Sequence, residues 1–293
     1  MNNDKNTSLT VAMIISMVIW GISWPINHFL TAFGSPIHLG IFRYSIVIVS
    51  LLIVILAARI PLIIAKKGLL FLVISGLLMA IYNYTFLQGL TLGNPGAGGI
   101  LVTTLNPILA YGLGILIEWK KPTKNESIGL FLGILAGLTL LKIWDNLSIL
   151  TSGGNLYFLA SALIWSVMSK FTSKSANFGS PIAFSWWMYV VTLLLLLPFS
   201  HFSTLQTMVH DSNWIFWGSM LFGSIVTTTF ATTLYFFATS KLGAEKASSF
   251  IFTVPFSAAI SAFLILGERI EWHTLLGGLL GIGAVWMINR KTK

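Results

Sequence analysis

Ten stretches of about twenty mostly apolar residues, each long enough to cross a bilayer, follow one another along this chain. They lie at roughly 9–31, 36–58, 68–90, 96–117, 126–143, 154–173, 180–200, 214–238, 246–267 and 273–289. Segments this long and uniformly apolar do not match the ten-residue alternating strands of a membrane barrel. They predict helices, because a helix satisfies its own backbone N–H and C=O groups in hydrocarbon. Only 9% of residues are charged and the mean hydropathy is +0.87, whereas soluble domains average about 25% charged. Such a chain cannot cover a water-facing surface. The expected fold is all-α and integral to the lipid bilayer, with ten transmembrane helices.

The links between the stretches are short. Gly93-Asn94-Pro95-Gly96 is a turn, Trp119 to Lys124 is a polar break containing Pro122, and His201 to Asn213 is the longest polar link, with room for a small amphipathic piece. With ten spans, both ends share one side. That side carries fourteen Lys and Arg residues, among them Arg59, Lys66, Lys67, Lys120, Lys121, Lys124, Lys170, Lys174, Lys241 and Lys246; the other carries Lys142 and Arg269. The asymmetry predicts cytoplasmic termini in a plasma (bacterial inner) membrane. It also explains the net charge of +9 without a basic nucleic-acid-binding domain. The first apolar run has no small-x-small cleavage site, so it reads as a span and anchor rather than a removed leader.

The chain repeats itself. Gly34-Ser35-Pro36-Ile37 recurs 145 positions later as Gly179-Ser180-Pro181-Ile182, and at the same offset Trp20 recurs as Trp165 and Tyr44 as Tyr189. Each four-residue copy sits between the first and second of five apolar stretches. Residues 1–145 and 146–293 therefore read as two five-helix repeats, joined near Trp144 to Gly154. Five is odd, so the second repeat enters the membrane inverted. Inverted repeats of this kind build secondary transporters, with the substrate between the halves near the midplane.

A proline inside the fourth stretch of each half, then small residues, then a glutamate, completes the pattern: Asn106-Pro107 through Gly112 and Gly114 to Glu118, and Val254-Pro255 through Ala258 and Ala259 to Gly267-Glu268. With Trp20-Gly21 and Arg43, this resembles the EamA-type family of the drug/metabolite transporter superfamily, over almost the whole chain. Ile117 replaces the glycine that often precedes the glutamate there, and the proline-to-glutamate spacing is 11 in one half and 13 in the other. The resemblance implies ten spans in two inverted repeats, alternating access and export.

The expected substrate-binding residues follow from polar and aromatic stripes. Trp20, Trp24 and Asn27 share a face of the first stretch with Ser16, and Trp165 and Ser169 share one in the sixth with Ser161 and Thr172; steps of three and four align residues on a helix. Such rows can wall a cavity or glue helices together. Arg43 is the one charged residue read as lying well inside a span, and an unpaired arginine there costs about 2.5–3.5 kcal/mol on insertion scales. It either faces a wet cavity and attracts an anionic group, or ties helix ends together. Tyr82, Asn83, Asn106, Thr228, Tyr235 and Thr253 complete the expected lining, alongside Met79, Thr103, Ser224, Thr232, Ser249, Ser257 and Ser261. Pro107 and Pro255 remove a helix hydrogen bond and are the expected kinks or hinges. Glu118 and Glu268 read as helix-end residues.

No cofactor or metal site is expected. There are no cysteines, the five histidines have no metal spacing, and neither a phosphate loop nor a His-Glu-x-x-His motif is present. The reading is a secondary transporter of a small amphipathic metabolite such as an amino acid. A nucleotide-sugar or sugar-phosphate exchanger is the alternative and would need more than one buried cation. An intramembrane enzyme on lipid-linked groups is the remote one and would need an acid–base or metal cluster. The sequence sets neither the coupling ion nor the oligomeric state.

Overall fold

The computed structural model describes residues 2–93, 95–145, 153–266 and 272–290. Asn94, the 146–152 junction, Gly267, Glu268, Arg269, Lys291 and Lys293 lie outside them. The described residues are helical throughout, apart from links and one isolated bridge between Ile64 and Gly179. The helices are α1 (Asn2–Leu30), α2 (Pro36–Ala57), α3 (Leu69–Leu92), α4 (Pro95–Glu118), α5 (Lys124–Leu140), α6 (Gly153–Thr172), α7 (Pro181–Leu196), α8 (Phe202–Asp211), α9 (Trp214–Leu221), α10 (Thr233–Leu242), α11 (Ala244–Ser249), α12 (Val254–Leu266) and α13 (Trp272–Asn289). A π-helical stretch, Phe222–Thr232, joins α9 to α10 without a break, and a 3₁₀ turn, Phe250–Thr253, joins α11 to α12. The short α8 fills the longest polar link.

Among the described residues six helical segments are long and apolar enough to cross a membrane: Thr7–Leu30, Pro36–Ala57, Lys66–Leu92, Gly98–Glu118, Pro181–Phe199 and Trp214–Leu242. The other expected spans are helical but fall short for physical reasons. The 17 residues of α5 reach only about 25 Å. Helix α6 is long enough, yet it turns Ser161, Ser166, Ser169 and Lys170 inward, which lowers its hydropathy. Outward-facing side chains are apolar, as at Val49, Ile53, Leu70, Leu116 and Leu279, the reverse of a water-soluble surface.

Local chemistry sets the helix ends. Ser35 and Ser180 are extended residues before a first-turn proline, which has no N–H to leave orphaned; the repeated four-residue motif is thus the same helix start twice. Thr123 and Glu126 form a reciprocal capping box at α5. Gly243, at φ 86°, turns the chain from α10 straight into α11, in a left-handed region that suits glycine.

The links gather at two ends. The Ala65 N–H bonds the Phe178 carbonyl at 2.8 Å, joining the links after α2 and α6. At the other end, Ser35 bonds His38 at 2.7 Å, and the His201 N–H lies 3.5 Å from His38 Nε2. Packing partners also come in matched sets. Counting the ten expected spans in order, the helix of the first packs on that of the eighth and sixth on third; first on ninth and sixth on fourth; second on seventh, and fifth on tenth. Adding five to each span number maps the set onto itself.

Close approach of α1 and α12 is built on small residues. Ser257 Oγ donates to the Met17 carbonyl at 3.1 Å and Ser261 Oγ to the Gly21 carbonyl at 3.4 Å. This part of the serine row is therefore helix packing. Pro107 lies inside the continuous α4. Pro255, expected as a mid-span kink, is instead the second residue of α12, just after the 3₁₀ turn. The break in the second half is that turn, with the proline starting the next helix.

Candidate functional site

A narrow cavity of about 70 Å³ lies where α1, α2, α3, α4, α6 and the π-helical stretch converge; it has room for a few waters. Helix α1 contributes Trp20, Trp24 and Asn27 from one face, with Ser23 between them. Arg43 and Tyr44 come from α2, Tyr82 and Met79 from α3, Asn106 and Thr103 from α4, and Trp165 from α6. The π-helical stretch supplies Thr227, Thr228 and Thr232. They include eight of the twelve expected substrate-binding residues: Trp20, Trp24, Asn27, Arg43, Tyr82, Asn106, Trp165 and Thr228.

The aromatic wall is a connected set. The Trp20 and Trp165 rings meet edge to face at 5.1 Å, Tyr82 lies 4.7 Å from Trp165, and Trp24 lies 5.0 Å from Phe86. Tyr44 stacks on Tyr189 at 5.9 Å. Residues related by the 145-position offset thus touch each other twice, at Trp20–Trp165 and at Tyr44–Tyr189. Trp20 is fixed by an Nε1 hydrogen bond to Thr232 Oγ1 at 3.2 Å.

The polar side is built around Arg43. It is 7% exposed, and its Nη2 donates to Asn27 Oδ1. Asn27 is a neutral partner, and among the described residues no carboxylate pairs with Arg43. Nε of Arg43 and Oδ1 of Asn106 have no hydrogen-bond partner among the described residues, and both residues line the cavity. Trp165 Nε1 and Thr227 Oγ1, on the same lining, are likewise unpaired among the described residues; buried polar groups are rarely left so, which makes this lining the candidate place for a polar ligand. Gly223 packs beside this pair: a Cβ there would meet Asn27 Oδ1 at 3.4 Å and Arg43 Nη2 at 3.7 Å, in ordinary van der Waals contact.

The structure sets other expected residues behind this wall. Asn83 Nδ2 donates to the Pro36 carbonyl at 3.0 Å, tying α3 to the start of α2. Ser169 bonds the Trp165 carbonyl at 2.8 Å and lies 3.0 Å from the Tyr235 hydroxyl. Tyr235 is fully buried and supports Trp20 and Trp165 from the rear. Thr253 Oγ1 closes onto the Phe250 carbonyl within the 3₁₀ turn. Stripe reasoning missed Ser23, Tyr44, Phe86, Val102, Thr227 and Ile251, which do line the cavity. Thr227 escapes a 3.6-residue pattern because the helix is π-wound there, with Thr228 Oγ1 reaching back five residues to Gly223 at 2.8 Å.

A second cluster was not expected. Lys170, counted in sequence among the water-facing lysines, is buried in the last turn of α6 and bonded to the buried Glu245 of α11. Glu118, Lys120 and Lys174 surround the pair. Glu118 thus ends α4 in ion pairs.

An apolar-faced helical bundle closed around a polar, aromatic-walled cavity defines the class: a multi-pass membrane protein with a buried site between its helices. The sequence profile of the EamA-like transporter family matches residues 8–142 and again residues 152–290. The chain belongs to the EamA-like transporter family. It is similar to the uncharacterized transporter YoaV of Bacillus subtilis (strain 168), 27% identical over 94% of each chain. It is also similar to the uncharacterized transporter YyaM of the same organism, 22% identical over 95% of this chain and 92% of that one. A third relative is an uncharacterized transporter of Archaeoglobus fulgidus, 22% identical over 96% and 98%. One solved crystal structure superposes with a TM-score of 0.70 over 97% of this chain and 96% of its own, at 15% identity, which establishes a shared fold.

Proposed function

We propose that the chain is a ten-span secondary transporter that exports small amphipathic metabolites, such as amino acids, by alternating access. Its halves, residues 1–145 and 146–293, are inverted five-helix repeats, with both termini in the cytoplasm of a plasma membrane. Family membership and the transporter relatives support the general role, and argue against an enzyme. The double match of the family profile, the exchangeable packing pairs and the touching offset mates support the repeat.

One observation carries the substrate class: the unpartnered Arg43 Nε and Asn106 Oδ1 at a cavity walled by Trp20, Trp165 and Tyr82. An arginine in low dielectric favours a carboxylate. The asparagine oxygen accepts from an ammonium, and the rings hold an apolar body and attract a cation. A zwitterion with a hydrophobic side chain uses all three. Asn27 turns the guanidinium without neutralising it. A sugar phosphate or nucleotide sugar would call for a second buried cation, and Arg43 is the one cation among the lining residues. Those residues include no carboxylate or histidine, so the favoured coupling is exchange or facilitated diffusion. A bound metabolite needs more than the present cavity, so the walls part during the cycle.

Counterflow in proteoliposomes across a panel of amino acids, sugar phosphates and nucleotide sugars tests the substrate class. Preloaded zwitterionic amino acids are expected to stimulate labelled uptake. Stimulation by phosphorylated sugars alone would overturn the assignment. Reporter fusions test the topology: one at the C-terminus and one within α8 should report opposite sides of the membrane, and reports from the same side would end the ten-span arrangement.

A further inference from the structure

We infer that Lys170, Glu245 and Glu118 form an ionic gate that closes the cavity at the cytoplasmic end, an inference that rests on the transporter reading. The three residues come from the last turn of α6, the first turn of α11 and the end of α4. Lys170 Nζ bonds Glu245 Oε1 and lies 3.5 Å from Glu118 Oε2. Lys120 bridges the same two carboxylates, 2.5 Å from Glu118 Oε2 and 3.8 Å from Glu245 Oε1, and Lys174 lies 3.6 Å from Glu118 Oε1. The pair fits against α4 because Gly114 has no side chain: a Cβ there would stand 2.5 Å from Glu245 Oε1 and 3.3 Å from Lys170 Nζ.

These three elements also lead into the cavity wall. Asn106 is twelve residues before Glu118, Trp165 five before Lys170, and Ile251 six after Glu245. At 1.5 Å per residue the network lies roughly 8–18 Å beyond the wall, along each element toward the same end. The cavity cannot open that way unless the three elements separate. Separation breaks the pairs but returns the charges to water, and for buried ion pairs these two terms nearly cancel. A contact with that balance can exist either made or broken, as a two-state closure requires. Toward the opposite end the packing is aromatic instead, with Trp24 on Phe86, on Phe158 at 5.8 Å and against Gly99.

The chain has no cysteine, so a single Thr103→Cys places one reactive thiol in the cavity. Its labelling by a charged, membrane-impermeant methanethiosulfonate is measured from each face, in inside-out and right-side-out vesicles. Lys170→Met and Glu245→Gln should each raise labelling from the cytoplasmic face about tenfold, the size of a modest population shift, and lower it from the opposite face. The charge swap Lys170→Glu with Glu245→Lys should return it toward the starting rate. Glu118→Gln, which leaves the central pair intact, should give a smaller rise and serves if a single variant fails to fold. Folded variants that label from the cytoplasmic face at the starting rate would overturn the gate while leaving the transporter reading intact. A thiol that reacts from neither face in every background would overturn both.

Discussion

Arg43→Met is expected to reduce transport of carboxylate-bearing substrates by about 30-fold to 3000-fold. Removing one partner of a buried charge-assisted contact costs about 2–5 kcal/mol, and about 1.4 kcal/mol corresponds to tenfold. The variant places methionine in the first half where Met188 stands in the second. Arg43→Lys should keep more activity than Arg43→Gln, because the charge remains, although lysine lacks the planar fork that grips a carboxylate. Removing the guanidinium also strands Asn27 Oδ1, which it now satisfies, at a cost of about 1–3 kcal/mol. The double variant Asn27→Leu, Arg43→Met removes that side effect and should recover stability without recovering transport. Initial rates in proteoliposomes, with thermal unfolding in detergent, separate the two. Equal rates for Arg43→Gln and the parent chain would return Arg43 to a purely structural role.

Gly21→Leu is expected to abolish folded protein. A Cβ at Gly21 would fall 2.1 Å from Ser257 Oγ and 2.6 Å from the backbone nitrogen of Ala258. The serine hydroxyl could turn aside, but the backbone nitrogen cannot, so α1 and α12 would have to move apart. Their two serine-to-carbonyl hydrogen bonds would then be lost. Gly112→Ala is the control. Nothing lies within 4 Å of the Cβ it would add, and in a helix alanine is favoured over glycine by about 0.5–1 kcal/mol. Size-exclusion profiles of the two variants should differ completely, with Gly112→Ala as monodisperse as the parent. A monodisperse Gly21→Leu would mean that the α1–α12 contact opens freely.

The helix course was legible because hydropathy and backbone satisfaction leave few alternatives in a membrane. The repeated Gly-Ser-Pro-Ile was legible as a boundary, and it is the same N-terminal turn at α2 and α7. Much of the cavity was legible too, since Trp20, Trp24 and Asn27 lie at helical spacing on one face. The buried Lys170–Glu245 pair was not. A lysine near a span end counts toward orientation whether it faces water or a neighbouring helix, and only the tight turn at Gly243 brings Glu245 to it. The serine row of the ninth span was ambiguous for another reason. A spacing of four suits a pore and a helix seam equally, and Ser257 and Ser261 chose the backbone of α1. In the eighth expected span the stripe found Thr228 and Thr232 but missed Thr227, because a π-wound helix does not keep the period by which stripes are read.

The meeting of Trp20 with Trp165, and of Tyr44 with Tyr189, has a consequence for how a solute can lie. If two equivalent halves face each other across a line, a guest on that line can be turned end for end at no cost. It then occupies two poses and is released headfirst or tailfirst at random. Several lining pairs break that equivalence, Trp24 against Ser169 and Asn27 against Thr172 among them, and the charged one is Arg43 against Met188. On the proposed transport reading a dipolar guest would keep its negative end toward Arg43 and hold a single pose throughout the cycle. On that reading, the polarity of the cargo is set by the charged member of these divergent pairs.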